Sequence, residues 1–569
     1  MRFLALATDY DGTVANDGCM SPVAVAAIER LRMSGRRALL VTGRQVSDLV
    51  AVCPYLGLFD YVVAENGAVV YEPHTRESIL LAKPPPPEFA RRLESLGVSP
   101  LELGQVIVAT WMPHQHAVLQ AIQELGLELQ LIFNRSAIMV LPAGVNKATG
   151  MDFALRKMGL SLHEVVSVGD SENDHSLFEA SECAVAVANA VPSIRAAAAW
   201  VTRGENGHGV AELIDELIHD DLCRVYGQLT KHLIPIGLRE DGTEVTAPPY
   251  GINVLIAGPS GAGKSTVAAG IVERLIDRAY QLCIVDPEGD YGTLSDIVTL
   301  GNQKHAVTVN EALALLEDPK ISLNVNLLGI PLSDRPAFFS QLFPNLQALR
   351  TRTGRPHWIV LDEAHHMLPA ERTYFDRVVP QRMGETILVT VHPDHVAPEA
   401  LALVDVVIAV GANPEQTLQK FATAVGYTLP WPEGLNLQRQ QAVVWFPRRS
   451  EPPFPIRIIP GRAERIRHHR KYAEGDMRYH SFFFRGPDNR HNLRAQNLSI
   501  FAQIAEGIDE ETWMFHLRRG DYARWIRDAV KDSYLADQVE LVANRTDLTP
   551  AQTRTLIRSL IEARYTLPE

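Results

Sequence analysis

A glycine-rich loop near the middle of the chain constrains its fold more than any other feature. Gly258-Pro259-Ser260-Gly261-Ala262-Gly263-Lys264-Ser265-Thr266 follows the apolar stretch Ile252–Ala257 and leads into the helical pattern Val267–Leu275. A loop of this spacing between a strand and a helix is built to hold phosphate: its glycines let backbone N–H groups wrap a β-phosphate, and the helix N-terminus adds a favourable dipole. In such a loop Lys264 reaches the β- and γ-phosphates of ATP and Ser265 ligates Mg²⁺, with Gly258, Gly261, Ala262, Gly263 and Thr266 completing the cradle. The strand–loop–helix context demands an α/β layer with parallel strands. Trp358-Ile359-Val360-Leu361-Asp362-Glu363 supplies the partner motif, an apolar strand ending in two acids. Asp362 suits the magnesium shell, and Glu363 suits orienting or deprotonating an attacking water. A second acid favours hydrolysis over transfer to a bound acceptor.

The loop begins at residue 258 of 569, so other domains must surround its own, and the length predicts three or four in all. Strand and helix patterns alternate from the N-terminus: Phe3–Thr8 is apolar, Pro22–Met33 has helical spacing, and Ala38–Val41 is apolar again. Lys83-Pro84-Pro85-Pro86-Pro87 interrupts them and marks entry to an inserted cap, about 79–142, closed by the strand-like Ala137–Leu141. The first pattern resumes at Val165–Val168 and ends near residue 218. His219–Tyr250 reads as a linker in which Val225–Pro235 has strand character, 251–460 as the phosphate-loop domain, and 461–569 as a mostly helical accessory domain.

The N-terminal domain carries its own chemistry. Asp9-Tyr10-Asp11-Gly12-Thr13 follows an apolar strand, and two carboxylates one residue apart can share one magnesium ion while doing different jobs. One attacks phosphorus; the other protonates the leaving oxygen and later activates water. Thr42-Gly43-Arg44 offers a hydroxyl and backbone amides to a phosphoryl oxygen, and Lys147 neutralises phosphate charge. Gly169-Asp170-Ser171-Glu172-Asn173-Asp174 follows another strand and adds hard oxygen ligands suited to Mg²⁺.

This ordered set resembles the haloacid dehalogenase superfamily, in particular its Cof-type branch, which carries similar stretches where this chain has Glu65-Asn66-Gly67-Ala68 and Val187-Ala188-Asn189-Ala190. The resemblance covers residues 1 to about 218. It implies a Rossmann-like fold with a C2-type cap, Asp9 as a nucleophile forming an aspartyl-phosphate, and Asp11 as general acid/base. It further implies Thr42 and Lys147 as phosphate binders with Gly43 and Asn173 beside them, and Asp170 and Asp174 as carboxylates on the magnesium side with Asp9 and Asp11. A cap favours a small phosphorylated metabolite, and the short insertion looks most like phosphoglycolate and sugar-phosphate phosphatases. Trp111, His114, His116 and Arg135 are its candidate specificity residues.

Leu282-Cys283-Ile284-Val285-Asp286-Pro287-Glu288-Gly289-Asp290-Tyr291 resembles the segment after the second strand of HerA/FtsK-type ATPases, and Ile387–Val391 with His392 fits their sensor strand, although Gln is usual near that histidine. The resemblance spans roughly 240–460. It implies a RecA/HerA-like domain, an oligomer of hexameric kind with ATP at subunit interfaces, and an arginine acting in trans, for which Arg382 is the first candidate and Arg448 and Arg449 follow.

The formal net charge of −13 makes the whole chain a poor electrostatic match for a polyanion, though Gly461–Lys471 is locally basic. Ser481–Pro487 and Thr512–Tyr522 interleave aromatics with arginines, a mixture that single-stranded nucleic-acid sites and ordinary cores share. Cys19, Cys53, Cys183, Cys223 and Cys283 are scattered without metal spacing and read as reduced thiols; no basic-plus-apolar leader and no apolar run of about 18 residues is present, so the chain reads as cytoplasmic with no membrane partner. The leading expectation is a bifunctional enzyme, a Mg²⁺-dependent phosphatase fused to an ATP hydrolase that regulates or organises it. The alternatives are a nucleic-acid motor whose phosphatase trims DNA or RNA ends, and a kinase–phosphatase pair.

Overall fold

The computed structural model describes residues 1–565 apart from 135, 230–231, 293, 295, 371–382, 433–434, 436–440, 463–476, 478–480 and 531. The alternation of apolar runs and amphipathic helices builds two α/β sheets within one compact unit, which comprises residues 1–264, 274–292 and 296–458.

The first sheet has eight strands. From one edge to the other they are Trp200–Val201, Cys183–Ala186, Val165–Gly169, Ala5–Thr8, Arg37–Val41, Tyr61–Ala64, Val69–Glu72 and Glu77–Leu80. The first six run parallel; Val69–Glu72 turns back antiparallel to them, and Glu77–Leu80 pairs antiparallel with it. Ala5–Thr8 is central and wholly buried, as a strand covered on both faces must be. Its register pairs Thr8 with Val168 on one side and with Leu40 on the other. The chain therefore leaves all three strands at one edge, bringing Asp9, Thr42 and Asp170 together.

A separate four-stranded antiparallel sheet, ordered Leu129–Asn134, Ala137–Pro142, Val108–Trp111 and Glu102–Leu103, forms the cap with the helices Pro87–Ser95 and Gln115–Leu125. A cap beginning at residue 79 takes in the end of Glu77–Leu80, which the structure instead pairs with Val69–Glu72 in the main sheet.

The second sheet has eleven strands. Asn253–Ala257 lies between Thr386–Thr390 and Val406–Val410, and Trp358–Leu361, Leu282–Asp286, Ser322–Asn326 and Ile297–Leu300 extend it in parallel beyond Thr386–Thr390. On the other side it continues antiparallel through Gln441–Trp445, Phe454–Arg457, Ile234–Leu238 and Glu244–Ala247. The last two correct the linker reading of 219–250: they are edge strands of this sheet. Pro235 and Gly237 hid them, because both residues are uncommon in strands; the ladder shifts register between the two, and a side chain at 237 would meet Ile456 at 2.4 Å.

The two sheets are joined at the beginnings of their strands by buried polar groups. His357, just before Trp358, meets Glu164 Oε1 at 2.6 Å through Nε2 and accepts the Gln281 amide at 2.8 Å through Nδ1. Burial pushes the His357 imidazole below its ordinary value, while Glu164, though buried, is held low by His357 and Arg355. His163 places Nδ1 2.7 Å from Glu182 and Nε2 2.9 Å from the Arg278 carbonyl, with its ring stacked on Tyr280 at 3.9 Å.

A second unit comprises Ser265–Glu273, Thr293–Ser295 and Ile459–Glu569. The hairpin Phe482–Phe484 with Leu493–Ala495 precedes the helices Leu498–Gly507, Glu510–Arg518, Asp521–Trp525, Ser533–Ala543 and Pro550–Tyr565. Its core is aromatic: Phe482, Phe484, Phe501, Trp513, Tyr522 and Trp525 are buried against one another. The interleaved aromatics of 481–487 and 512–522 are thus mainly a core, with His516 accepting the Arg485 amide at 3.0 Å and meeting Asp521 at 2.9 Å. Most of the basic run, from residue 463, lies outside the described residues. Among the described residues no helix is long and apolar enough to cross a membrane.

Candidate active sites

Three carboxylates and one ammonium fill the end of the first sheet. Asp9, Asp170 and Asp174 are buried and offer oxygens within 4.8 Å of one another. Lys147 Nζ bridges two of them, 2.5 Å from Asp9 Oδ1 and 2.6 Å from Asp174 Oδ1. Local structure fixes each group. Asn146 caps the helix Lys147–Lys157 by accepting the Thr149 amide, so Lys147 starts its first turn facing the strand ends. Asp174 Oδ2 accepts the amides of Asp170 and Ser171 at 3.0 and 3.1 Å, leaving Oδ1 for the lysine. Asp170 accepts the hydroxyls of Thr13 and Ser171, each at 2.9 Å. Gly12, at φ +76°, stands where a side chain would reach within 2.5 Å of Asp170 Oδ2, so the turn after Asp11 admits only glycine.

Charge in this pocket is unbalanced: one ammonium faces three carboxylates. Burial raises Asp9 well above the ordinary carboxylate value; Lys147 counters this, and Asp174 and Asp170 add to it. Burial alone would depress Lys147, but Asp174 and Asp9 outweigh it and hold the ammonium above its ordinary value. A compact set of hard oxygen donors with excess negative charge fits a divalent cation such as Mg²⁺.

Asp11 departs from the expectation that it shares the metal. Its carboxylate stands apart from the buried triad and is clamped by Arg44, at 2.6 Å from Nε and 2.8 Å from Nη2, while Arg44 Nη1 holds Asp48 at 2.5 Å. Arg44 thus sets the position of Asp11 at the rim, a role its place in the Thr42–Arg44 motif did not reveal. Thr42 is buried and its Oγ1 accepts the Arg44 amide at 3.2 Å. Asn173 donates to Asn66 Oδ1 at 3.2 Å, and its own buried carbonyl oxygen has no hydrogen-bond partner among the described residues. Asn189, in Val187–Ala190, fixes the Gly12 carbonyl at 2.7 Å. Asp9, Asp11, Thr42, Gly43, Arg44 and Asn173 open into a cleft of about 540 Å³ roofed by Trp111, Met139, Asn134 and Ile107 of the cap. Of the expected cap residues only Trp111 lines it: His114 is bonded to the Ser99 carbonyl, His116 is exposed outside the cleft, and Arg135 lies outside the described residues.

Residues 6–95 and 117–214 match the haloacid dehalogenase-like hydrolase model. The phosphoglycolate phosphatase of Methanothermobacter thermautotrophicus is 30% identical over 220 residues, covering 37% of this chain and 96% of that protein. The chain belongs to the haloacid dehalogenase-like hydrolases. A phosphoglycolate phosphatase of Pyrobaculum aerophilum is likewise 30% identical over 231 residues, 39% of this chain and 99% of that protein. A solved haloacid dehalogenase-like hydrolase from Bacteroides thetaiotaomicron aligns over 38% of this chain and 99% of its own at 19% identity and a TM-score of 0.34. The residues matched by the hydrolase model lie in the first sheet and its cap. Residues 253–333 match a second model, that of the helicase HerA central domain.

In that second region of the hydrolase chain, Gly258 and Gly263 adopt φ of +156° and +99°, and Lys264 opens the helix Lys264–Asp277, followed by Ser265 and Thr266. Gly261, at φ +75°, and Ala262 lie between them in the loop, with the Ala262 amide 3.2 Å from the Pro259 carbonyl. Lys264 Nζ donates to the Pro259 carbonyl at 3.2 Å. Asp362 and Glu363 end their strand as expected, with Glu363 at φ +42°. Burial and the neighbouring Glu363 push Asp362 up to about 8, and burial raises Glu363 and Glu288 as well. Glu288, a site neighbour that sequence reading passed over, interacts with Lys264, Glu363 and His366. Asp286 has a structural part, accepting the amides of Gly289, Asp290 and Tyr291. His365 Nδ1 meets Thr390 Oγ1 at 3.0 Å, tying the Asp362–Glu363 turn to the strand Thr386–Thr390. Arg382 lies outside the described residues; Arg448 is committed to Asp405 and the Ala402 carbonyl, and Arg449 packs over Phe446.

Proposed function

We propose that residues 1 to about 218 are a Mg²⁺-dependent phosphatase acting on small phosphate monoesters. The observation that carries this is the buried Asp9–Lys147–Asp174 chain with Asp170 beside it, at the floor of a capped cleft of about 540 Å³. Asp9, Asp170 and Asp174 would hold the cation, which when bound neutralises phosphate and carboxylate charge. Asp9 attacks phosphorus; the ester P–O bond breaks and the leaving oxygen takes a proton from Asp11. Asp11 then withdraws a proton from water, which attacks phosphorus, breaks the bond to Asp9 and releases phosphate. Lys147, Thr42, the Gly43 amide and Asn173 hold the phosphoryl oxygens. The relatives named phosphoglycolate phosphatases support a substrate of that size.

The phosphate-loop domain, in this reading, binds and hydrolyses ATP with Mg²⁺. Lys264, Ser265 and Thr266 hold phosphate, Asp362 the cation shell, and Glu363 the water. Likeness to the HerA central domain supports an oligomer, of hexameric kind, whose ATPase regulates or organises the phosphatase through the buried junction of His163, Glu164, Glu182 and His357. The same likeness favours one second reading, a nucleic-acid motor with an end-trimming phosphatase. Phosphate release from phosphoglycolate, sugar phosphates and 5′- or 3′-phosphorylated oligonucleotides, with and without ATP, separates the two. Preference for a small ester is expected; preference for oligonucleotide ends would overturn the metabolite reading.

A further inference from the structure

The turn Glu65-Asn66-Gly67 touches the Thr42 loop, the cap and the start of the Lys147 helix without lining the cleft. Its three residues have consecutive positive φ angles of 49°, 53° and 104°, a backbone path that two non-glycine residues adopt only when their surroundings hold them there. Its amides bind the phosphate-side loop: Glu65 N–H donates to the Arg44 carbonyl at 2.9 Å and Asn66 N–H to the Thr42 carbonyl at 3.0 Å. The Asn66 side chain contacts Asn173 and, through Nδ2 at 2.9 Å, the sulfur of cap residue Met139. Gly67 lies so close to the start of the lysine helix that a side chain there would meet the Asn146 carbonyl at 1.9 Å.

The Glu65 side chain reaches the other way, into the cap. It is fully buried, and among the described residues no lysine, arginine or histidine forms an ion pair with it. Instead its oxygens accept three successive cap amides, Gln105 through Oε1 and Val106 and Ile107 through Oε2, each at 2.8 Å. A buried carboxylate bound by three N–H groups is a strong, directional anchor. Those amides precede Val108–Trp111, the strand that carries Trp111 to the cleft.

We propose that Glu65 is a positioning residue: its carboxylate holds the cap loop Gly104–Ile107 down over the cleft, and the turn it belongs to ties that closure to the Thr42 loop and the Lys147 helix. The inference rests on the phosphatase reading above. Closure matters most to an ester whose whole leaving group lies under the cap, and least to an aryl ester whose ring projects past it.

Two variants press on the contact from opposite sides. Glu65→Gln sets an N–H₂ group against amide donors. Gly104→Ala works from the cap side, where a new side chain would come 2.7 Å from both Glu65 Oε1 and Ile107 Cγ2. Hydrogen exchange at the amides of residues 105–107, and kinetics on phosphoglycolate and p-nitrophenyl phosphate, are compared with the full-length native chain. Both variants should speed exchange by about tenfold or more and raise KM for phosphoglycolate by about tenfold, with kcat/KM for p-nitrophenyl phosphate within about threefold of native. Protected amides with native kinetics would overturn the proposal, as would equal losses on both esters with exchange unchanged. If the native chain hydrolyses neither ester, the phosphatase reading fails, and exchange at 105–107 alone decides whether Glu65 holds the cap.

Discussion

The two phosphate sites use the same materials, a lysine and several acids at the ends of parallel strands, and arrange them in opposite ways. In the capped cleft Lys147 lies between Asp9 and Asp174 at ion-pair distance, and its ammonium is held above the ordinary lysine value. In the glycine-rich loop Lys264 turns back to a carbonyl of its own loop, and burial lowers its value even though Glu363, Asp362 and Glu288 act against this. The first site holds its lysine in direct contact with two of three buried carboxylates, whose excess negative charge suits a divalent cation. In the second, Lys264 bonds to the Pro259 carbonyl and not to an acid, and burial with the neighbouring Glu363 pushes Asp362 up to about 8. Preorganisation suits a cleft that binds, reacts and releases repeatedly on fixed groups. A lysine held away from its neighbouring acids instead lets ligand binding change the local electrostatics, as the ATP-binding role proposed for this domain would require.

Crossed substitutions offer the largest test of this contrast. Asp9→Asn should lower phosphate release from monoesters by at least about 10³-fold and leave ATP hydrolysis largely intact, and Lys264→Ala, assayed for monoester hydrolysis without ATP, should do the converse. Loss of both activities in either variant would mean that the sites are not separate. A smaller effect concerns stability. Lys147→Met leaves three buried carboxylates facing one another and should cost about 3–5 kcal/mol without metal, partly recovered by Mg²⁺; Lys264→Met, which breaks no ion pair, should cost far less. Urea unfolding with and without Mg²⁺ checks both.

The smallest effect is on pH. Asp362 has a folded-state value of about 8 against an ordinary 3.8, so its protonated form stabilises the nucleotide-free chain at low pH. That stability declines as pH rises from the ordinary value and is gone above about 8. A cation held by Asp362 requires the ionised form, so thermal stabilisation by Mg²⁺–ATP should strengthen as pH rises from about 6.5 to 8.5, with affinity changing up to about tenfold per pH unit. A flat profile would contradict the charge imbalance assigned to this site.

Much of this was legible in the sequence because strand-end chemistry is local. Asp9, Thr42, Asp170, Lys264 and Asp362 each follow a short apolar run, and the parallel register then brings the ends together without further information. Contacts that join distant single residues left no such trace. Glu164 and His357 are separated by 193 positions and neither sits in a periodic or spaced motif. The Arg44 clamp removes Asp11 from the carboxylate triad, which motif spacing cannot foresee because it records order and not side-chain direction. The strands Ile234–Leu238 and Glu244–Ala247 were hidden by proline and glycine at a bulge. The aromatics around Phe482 and Trp513 read equally well as a stacking surface until burial assigned them to a core.

The central claim is that Asp9 is phosphorylated during turnover, and chemical trapping tests it most directly. Borohydride reduces an acyl phosphate to an alcohol, so quenching the native chain during steady turnover of a small monoester with Mg²⁺ should convert Asp9 to homoserine, read by peptide mass spectrometry. Homoserine is expected at residue 9, dependent on substrate and absent without it. Sustained phosphate release with Asp9 unmodified, and equal release from Asp9→Asn, would contradict it.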